Sequence, residues 1–454
     1  MDHGWTMASK QNPPRWIPNT LRLASHENAR DKAVATGHLD PGSSILKTPA
    51  FATILLDSEK GRRCDHCFRK NAGLKKCTGC GSYWYCDAHC QAAQWQAHHK
   101  RLCKAFNSYT SSTAFQALQR HEKYDSILLS HVLAHITLLP DAYASEDMMY
   151  SVLLSLLPGP QHPSNTASDL PICPIRPPPP PDILRKIYAR FGNNNFAIHS
   201  HLTSIGHGVF PIASRLFNHS CVPNAAAKYI LSPTGSVTMD VVALRIIAPG
   251  EEICLPYLDP GLLQTREQIL ELSYGFKCDC VFCCFLRKIG PLPEIPEGEK
   301  ELSSLEEQLT SFANISSISE LKLPNPSIEK TPSVLHCLLR ESYMTKLSET
   351  FSKASHEQKY DVALKSGITL LSLYLLVYPE NYPQIGMHLL ELAKTAWNAT
   401  ISASSDRFPQ EMRRRVEVFL TLAFQVLTIL GDEGDSDGPM EKITLLGGLL
   451  AAEA

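Results

Sequence analysis

The chain has 454 residues, enough for two to four domains with ample core. Its 43 basic and 45 acidic residues leave a formal charge of −2, which excludes a global field that would recruit nucleic acid or an anionic membrane. The longest apolar runs, Ile368 to Tyr378 and Phe419 to Leu430, are too short to cross a bilayer. The first residues form a polar tail (1–19) without the apolar run of a secretory signal, so the expected location is intracellular, in cytoplasm or nucleus.

Residues 20–63 read as short strands: Leu21 to Ala24, Ala33 to Thr36, then Ile45 to Leu55 interrupted by Pro49, with a turn at Asp40-Pro41-Gly42. Residues 64–103 change character. Cys64-x2-Cys67, Cys77-x2-Cys80, Cys86-x3-Cys90 and His99-x3-Cys103 supply eight ligands, two complete tetrahedral zinc sites. Such a segment is too small for its own apolar core, so metal would supply most of its folding energy. Eight protein ligands leave no open position for water, and the zinc there is expected to be structural. Eleven of the fifteen cysteines fall in clusters of this kind, which favours metal sites over disulfides.

Residues 104–192 read as helices, Phe115 to Leu139 and Met148 to Leu157, followed by a Pro-rich loop (158–181) ending in five prolines. That loop is expected to be an exposed polyproline II spacer, and Asp182 to cap a short helix after it. Residues 193–259 return to strands, and 260–290 hold a charged helix, Leu262 to Leu272. The run Cys278-x-Cys280-x2-Cys283 follows, one ligand short of a zinc site. Cys221, in the irregular stretch Asn218-His219-Ser220-Cys221-Val222-Pro223-Asn224, is the natural fourth. From 291 to 454 amphipathic helices follow one another and resemble a tetratricopeptide-like array, with the acidic loop Asp432 to Asp437 expected to be solvated.

These motifs together resemble the SET and MYND domain family of protein lysine methyltransferases. The quoted elements are the eight-ligand finger, Asn218-His219-Ser220-Cys221-x-Pro223-Asn224, Gly250-Glu251-Glu252-Ile253-x3-Tyr257 and Tyr274-x-Phe276-x-Cys278-x-Cys280-x2-Cys283. The resemblance implies an α+β fold, a split SET β-fold with an inserted MYND zinc finger, a post-SET zinc segment and a C-terminal helical (TPR-like) array. It implies that Cys64, Cys67, Cys86 and Cys90 share one zinc, Cys77, Cys80, His99 and Cys103 a second, and Cys221, Cys278, Cys280 and Cys283 a third. His98 rivals His99, because the family places its histidine three residues after a Trp and Trp95 would select His98; the spacing to Cys103 favours His99 and leaves His98 as a surface residue.

By the same resemblance Asn194, Asn218, His219, Tyr257 and Phe276 contact S-adenosylmethionine, Tyr257 and Tyr274 line the lysine channel as catalytic tyrosines, and the Asn218 segment passes beneath a loop near Tyr257. The family's Gly-x-Gly is replaced by Arg30-Asp31-Lys32, so Arg30 and Lys32 are expected to contact the cofactor's carboxylate or to weaken its binding. The expected function is S-adenosylmethionine-dependent methylation of a histone or other protein lysine. The alternative is an inactive adaptor whose finger binds proline-rich partners. Direct DNA reading is disfavoured by finger spacing and charge.

Overall fold

The computed structural model describes residues 16–139, 148–160, 171–233, 235–402 and 410–452. Most of the expected amino-terminal tail and residues 161–170 of the Pro-rich loop lie outside them.

Short strands form where β-branched and small residues cluster. Leu21–Ala24 (β1) pairs antiparallel with Lys32–Ala35 (β2), and Ser44–Pro49 (β3) and Ala52–Leu55 (β4) follow. The finger comes next, with Lys75–Lys76 (β5), Trp84–Tyr85 (β6), Ala88–Gln94 (α1) and Lys100–Thr110 (α2). Helices Thr113–Gln116 (α3), Arg120–Ile136 (α4), Met148–Ser155 (α5) and Pro181–Phe191 (α6) pack beside it.

The β-structure then resumes with Asn195–Ser200 (β7), Thr203–Val209 (β8), Pro211–Leu216 (α7), Asn218–His219 (β9), Ala225–Ile230 (β10), Thr238–Ala243 (β11) and Cys254–Leu255 (β12). The strands before the finger pair with strands after it: β3 joins β11 and β10, and β4 joins β8 and β7. The finger and helices are therefore an insertion into one β-unit, whose core includes Leu21, Ile45, Leu55, Ile198, Phe217 and Ile253. Phe68 of the finger lies over the sheet at Gly206, where a Cβ would come within 2.5 Å of the Phe68 ring. A glycine is needed for that close approach.

Two expectations about this region change. Proline, with no N–H to leave unpaired, starts α6 at Pro181, so Asp182 sits in the first turn and Pro180 precedes the helix. The Pro-rich loop is only partly exposed: Cys173 and Ile175 are buried, and the Cys173 N–H donates to Ser130 Oγ on α4 at 2.9 Å.

Beyond β12 come Arg266–Ile269 (α8), a wide π-type turn at Leu270–Tyr274, and Val281–Ile289 (α9). Glu299–Phe312 (α10), Glu341–His356 (α11), Tyr360–Val377 (α12), Pro383–Ser402 (α13), Gln410–Leu430 (α14) and Pro439–Ala452 (α15) complete the chain. From α11 onward each helix packs on the next. The expected succession of helices from 291 to 454 is present, with one 3-10 stretch, Ser333–Leu339, leading into α11. By length and composition α12 would suffice to cross a bilayer, but its leucines fill the core of the helical region.

The acidic loop after α14 is solvated only in part: Asp432 and Asp437 are exposed, while the side chains of Glu433 and Asp435 turn inward. Asp435 accepts from Arg63 Nη1 at 2.7 Å and from the Ser200 hydroxyl at 2.6 Å, with both ion-pair partners nearly inaccessible. Glu433 accepts from the His201 N–H at 2.7 Å, and Asp437 pairs with Lys70 at 3.0 Å. The correction has a simple cause: cations that neutralise this loop are supplied by Arg63 and Lys70, more than 360 residues earlier in the chain.

Candidate active site and zinc centres

Three sets of four donors converge, each set with its donor atoms within 4.8 Å of one another: Cys64, Cys67, Cys86, Cys90; Cys77, Cys80, His99, Cys103; and Cys221, Cys278, Cys280, Cys283. A tetrahedral zinc with bonds of about 2.3 Å has sulfur–sulfur edges of about 3.8 Å. Cys67–Cys86 is 3.7 Å, Cys77–Cys103 3.8 Å, Cys221–Cys278 3.9 Å and Cys221–Cys283 3.6 Å, while all fifteen cysteines are free of disulfides. The donor sets fit three zinc ions.

The structure separates His99 from His98. His99 Nε2 lies 3.4 Å from Cys77 Sγ and 3.6 Å from Cys80 Sγ. Burial, then the charge of Lys60, holds this imidazole down at about 4, which keeps it neutral as a ligand must be. Between α1 and α2 the helix widens into a π turn at Trp95–His99, which accommodates one extra residue. That extra residue is the slip after Trp95 that brings His99 to the cluster. His98 is not a surface residue: it is buried and stacks on His131 with ring centroids 4.1 Å apart.

The third quartet sits beside a group of half-buried rings. Strand β9 runs parallel to β12, Asn218 opposite Cys254 and His219 opposite Leu255, so the irregular stretch lies directly against the segment leading into Tyr257. The Tyr257 N–H donates to His219 Nδ1 at 3.0 Å, and the Tyr257 hydroxyl donates to the Phe217 carbonyl at 2.7 Å. Since Nδ1 accepts, the neutral His219 carries its proton on Nε2, which faces Cys221 Sγ at 3.1 Å as a donor to sulfur. One imidazole therefore joins Tyr257 to the cysteine quartet.

The π turn ends at Gly275, whose φ of +75° suits glycine, and the chain reverses so that Tyr274 and Phe276 both reach this group. Tyr257 and Tyr274 centroids are 5.0 Å apart, His219 and Phe276 5.9 Å, Tyr257 and Phe276 6.3 Å. Burial, and after it Tyr274, pushes the Tyr257 hydroxyl well above its ordinary range, so it is a phenol at neutral pH.

The amide of Asn218 donates to the Asp31 carbonyl at 3.0 Å and to Glu252 Oε1 at 2.8 Å, and that of Asn194 to the Arg190 carbonyl at 2.6 Å. Arg30 is exposed and donates to the Ser155 carbonyl at 2.6 Å, while Lys32 opens β2 opposite Ala24.

Two structural contributors escaped the sequence reading. Arg215 grips Asp31 through two 2.7 Å hydrogen bonds, fixing the turn where the glycines are missing. Asn224 donates to the Glu252 carbonyl and to Glu251 Oε1 and accepts from the Cys254 N–H, locking the irregular stretch to β12. Asn224 stood inside the singled-out stretch and offered a signal; Arg215 offered none.

The family model described as "SET domain" matches residues 32–258. The chain belongs to the SET domain family. Among its relatives, "N-lysine methyltransferase SMYD2-A" of Danio rerio is 28% identical over 426 residues, covering 83% of this chain and 89% of that protein. "Histone-lysine N-methyltransferase ASHR1" of Arabidopsis thaliana is 26% identical over 418 residues, covering 79% and 82%. The Gallus gallus "N-lysine methyltransferase SMYD2" reaches 30% identity over 259 residues, covering 54% and 56%. The SET domain match runs from β2 through β12 with everything inserted between them, and the SET and MYND architecture, with its helical C-terminal region, is that of this chain.

Proposed function

We propose that this protein is an S-adenosylmethionine-dependent lysine N-methyltransferase acting on a histone or another protein. The observation that carries the reading is the Tyr257 hydroxyl, held by the Phe217 carbonyl inside a group of half-buried rings, in a SET domain.

The residues present fit the cofactor. Phe276 and His219 offer partly open ring faces for a purine, and Asn218 and Asn194 commit their amide N–H groups to the protein, which leaves their side-chain carbonyl oxygens free to accept. Bound S-adenosylmethionine would supply an electrophilic methyl on a sulfonium.

The protein's part is to present a neutral lysine amine in line. Tyr257 and Tyr274 desolvate the amine, which favours its neutral form. With its proton committed to Phe217, the Tyr257 oxygen is left to accept an N–H of the amine and so aim the nitrogen lone pair. Arg30 and Lys32 flank Asp31, whose carbonyl accepts from the Asn218 amide, and are candidate partners of a carboxylate.

The finger lies outside these events. Its half-exposed Trp95 supports a role in binding proline-rich partners. The free cysteines suit the cytoplasm or nucleus.

Transfer of labelled methyl from S-adenosylmethionine to protein lysines tests the reading. Tyr257→Phe is expected to lower the rate about 100-fold, the scale of one lost oriented polar contact at a reacting centre, while stability falls only by the lost hydrogen bond to Phe217, about 1 kcal/mol. A Tyr257→Phe protein as active as wild type would overturn it.

A further inference from the structure

Arg266, the first residue of α8, is among the most deeply buried side chains in the molecule, 1% exposed. Nη1 donates to the Pro260 carbonyl at 2.9 Å, and the guanidinium lies 4.5 Å above the Phe282 ring. Nε and Nη2 are buried without a hydrogen-bond partner. Among the described residues no carboxylate comes within ion-pair distance, and the adjacent Glu267 is taken by Arg287 at 2.8 Å.

A guanidinium stays protonated, and a buried charge without a counter-charge is strongly disfavoured. Among the described residues, with Glu267 committed to Arg287, the sulfurs of the tail quartet are the groups left to supply a counter-charge. Arg266 and Cys283 line one cavity of about 330 Å³ between α8 and α9, and Phe282, beneath the guanidinium, immediately precedes Cys283. As four thiols the tail quartet carries no charge. As four thiolates around one Zn²⁺ it carries a net charge of −2, and burying that charge is costly too. Each makes the other tolerable. Arg266 also bonds to Pro260, three residues beyond Tyr257.

We propose that Arg266 is a positioning residue: it is the counter-charge of the zinc–thiolate quartet formed by Cys221, Cys278, Cys280 and Cys283, and the strut that ties that quartet to the turn following Tyr257. The proposal rests on the reading of this quartet as a zinc site. Zinc binding at the tail thereby orders the segment after the channel tyrosine from the side opposite to His219.

The test uses the full chain as wild type, Arg266→Met and Arg266→Gln. Zinc stoichiometry is followed during chelator competition, and backbone hydrogen exchange is measured over residues 258–266. Wild type is expected to hold three zincs. Arg266→Met is expected to release one of them at roughly tenfold lower chelator concentration, the lower end of the effect of residues that support metal ligands, while the two finger zincs stay bound as an internal control. Exchange over 258–266 should accelerate in the variant and match that of wild type stripped of the same zinc. If Arg266→Met does not fold, Arg266→Gln decides, since it keeps a donor for Pro260 without the charge and is expected to lose the same zinc. Neutral variants that retain three zincs with wild-type release and exchange overturn the proposal. A wild type holding only two zincs overturns instead the reading of the tail quartet.

Discussion

The finger and the tail use the same chemistry to different ends. In the finger, all eight ligands fall between Cys64 and Cys103, and the cluster they form, with Tyr83, Tyr85 and Phe106, is local. In the tail, Cys221 lies 57 residues before Cys278 in sequence. A metal there closes a long loop whose two ends carry Asn218 and His219 on one side and Tyr274 and Phe276 on the other. Local zinc folds a small module; long-range zinc sets the relative position of the two halves of the proposed active site.

Cys221→Ser removes one tail ligand and the sulfur acceptor of His219 Nε2, which also orients Tyr257. Its methyl transfer is expected to fall about 100-fold or more, with one zinc lost per chain. Cys90→Ser likewise loses one zinc, but from the finger, and the transfer rate on a short peptide should stay within about threefold of wild type. Rates and zinc contents measured side by side check this. Equal losses of activity would erase the distinction between the two regions.

The finger is nevertheless fastened to the rest of the protein through Arg63, the residue just before it, which donates to the Phe68 carbonyl and pairs with Asp435. Both side chains are buried, and removing one partner of a buried pair costs about 3 kcal/mol or more, so Arg63→Met should lower stability by that amount in denaturant titrations without changing zinc content. Burial alone would raise Asp435, but the Ser200 hydroxyl and Arg63 outweigh it and hold the carboxyl below its ordinary range. A depressed carboxyl contributes stability that is complete above the unfolded value of about 4 and disappears as pH falls further. The wild type should therefore lose its advantage over Asp435→Asn below about pH 4, as read from paired denaturation curves.

This clamp marks the limit of what the sequence made legible. Zinc ligands were readable because a chelate ring constrains nearby residues, and Cys221 because a three-cysteine run lacks one donor. The strands were readable from short apolar segments between turn residues. Asp432 to Asp437 was misread because solvation is the right expectation for an acidic run whose cations are not nearby, and these lie more than 360 residues away. Arg215 was invisible for the same reason, its partner Asp31 lying 184 residues away, whereas Arg266 has its contacts nearby, at Pro260 and Phe282, and was hidden because nothing in a charged helix marks one arginine as buried. Within the expected helical region, Gly447 and Gly448 depress helix propensity in α15 yet are tolerated where packing of Ile443, Leu446 and Leu450 decides.

The π turn offers a finer test within the finger. His99→Ala should lose a finger zinc, whereas His98→Ala should keep all three and cost about 1–2 kcal/mol, because it deletes a buried ring stacked on His131. Zinc counts that reversed this order would mean that the helix does not carry its extra residue after Trp95.

The smallest effect is expected where the sequence raised the greatest doubt. Arg30 is exposed, and the turn it occupies is held by Arg215 on Asp31 and by the Asn218 amide on the Asp31 carbonyl. The conformational role of the missing glycines is thus assigned to side-chain contacts, and a charge contact from an exposed side chain is worth at most about 1 kcal/mol. Calorimetry with S-adenosylmethionine should therefore show Arg30→Gly/Lys32→Gly binding about fivefold more weakly than wild type at low salt, with the difference shrinking as salt rises. Tighter binding by the glycine variant would mean that Arg30 and Lys32 obstruct the cofactor and that the intact motif across from them, Asn218 through Asn224, is working against its own rim.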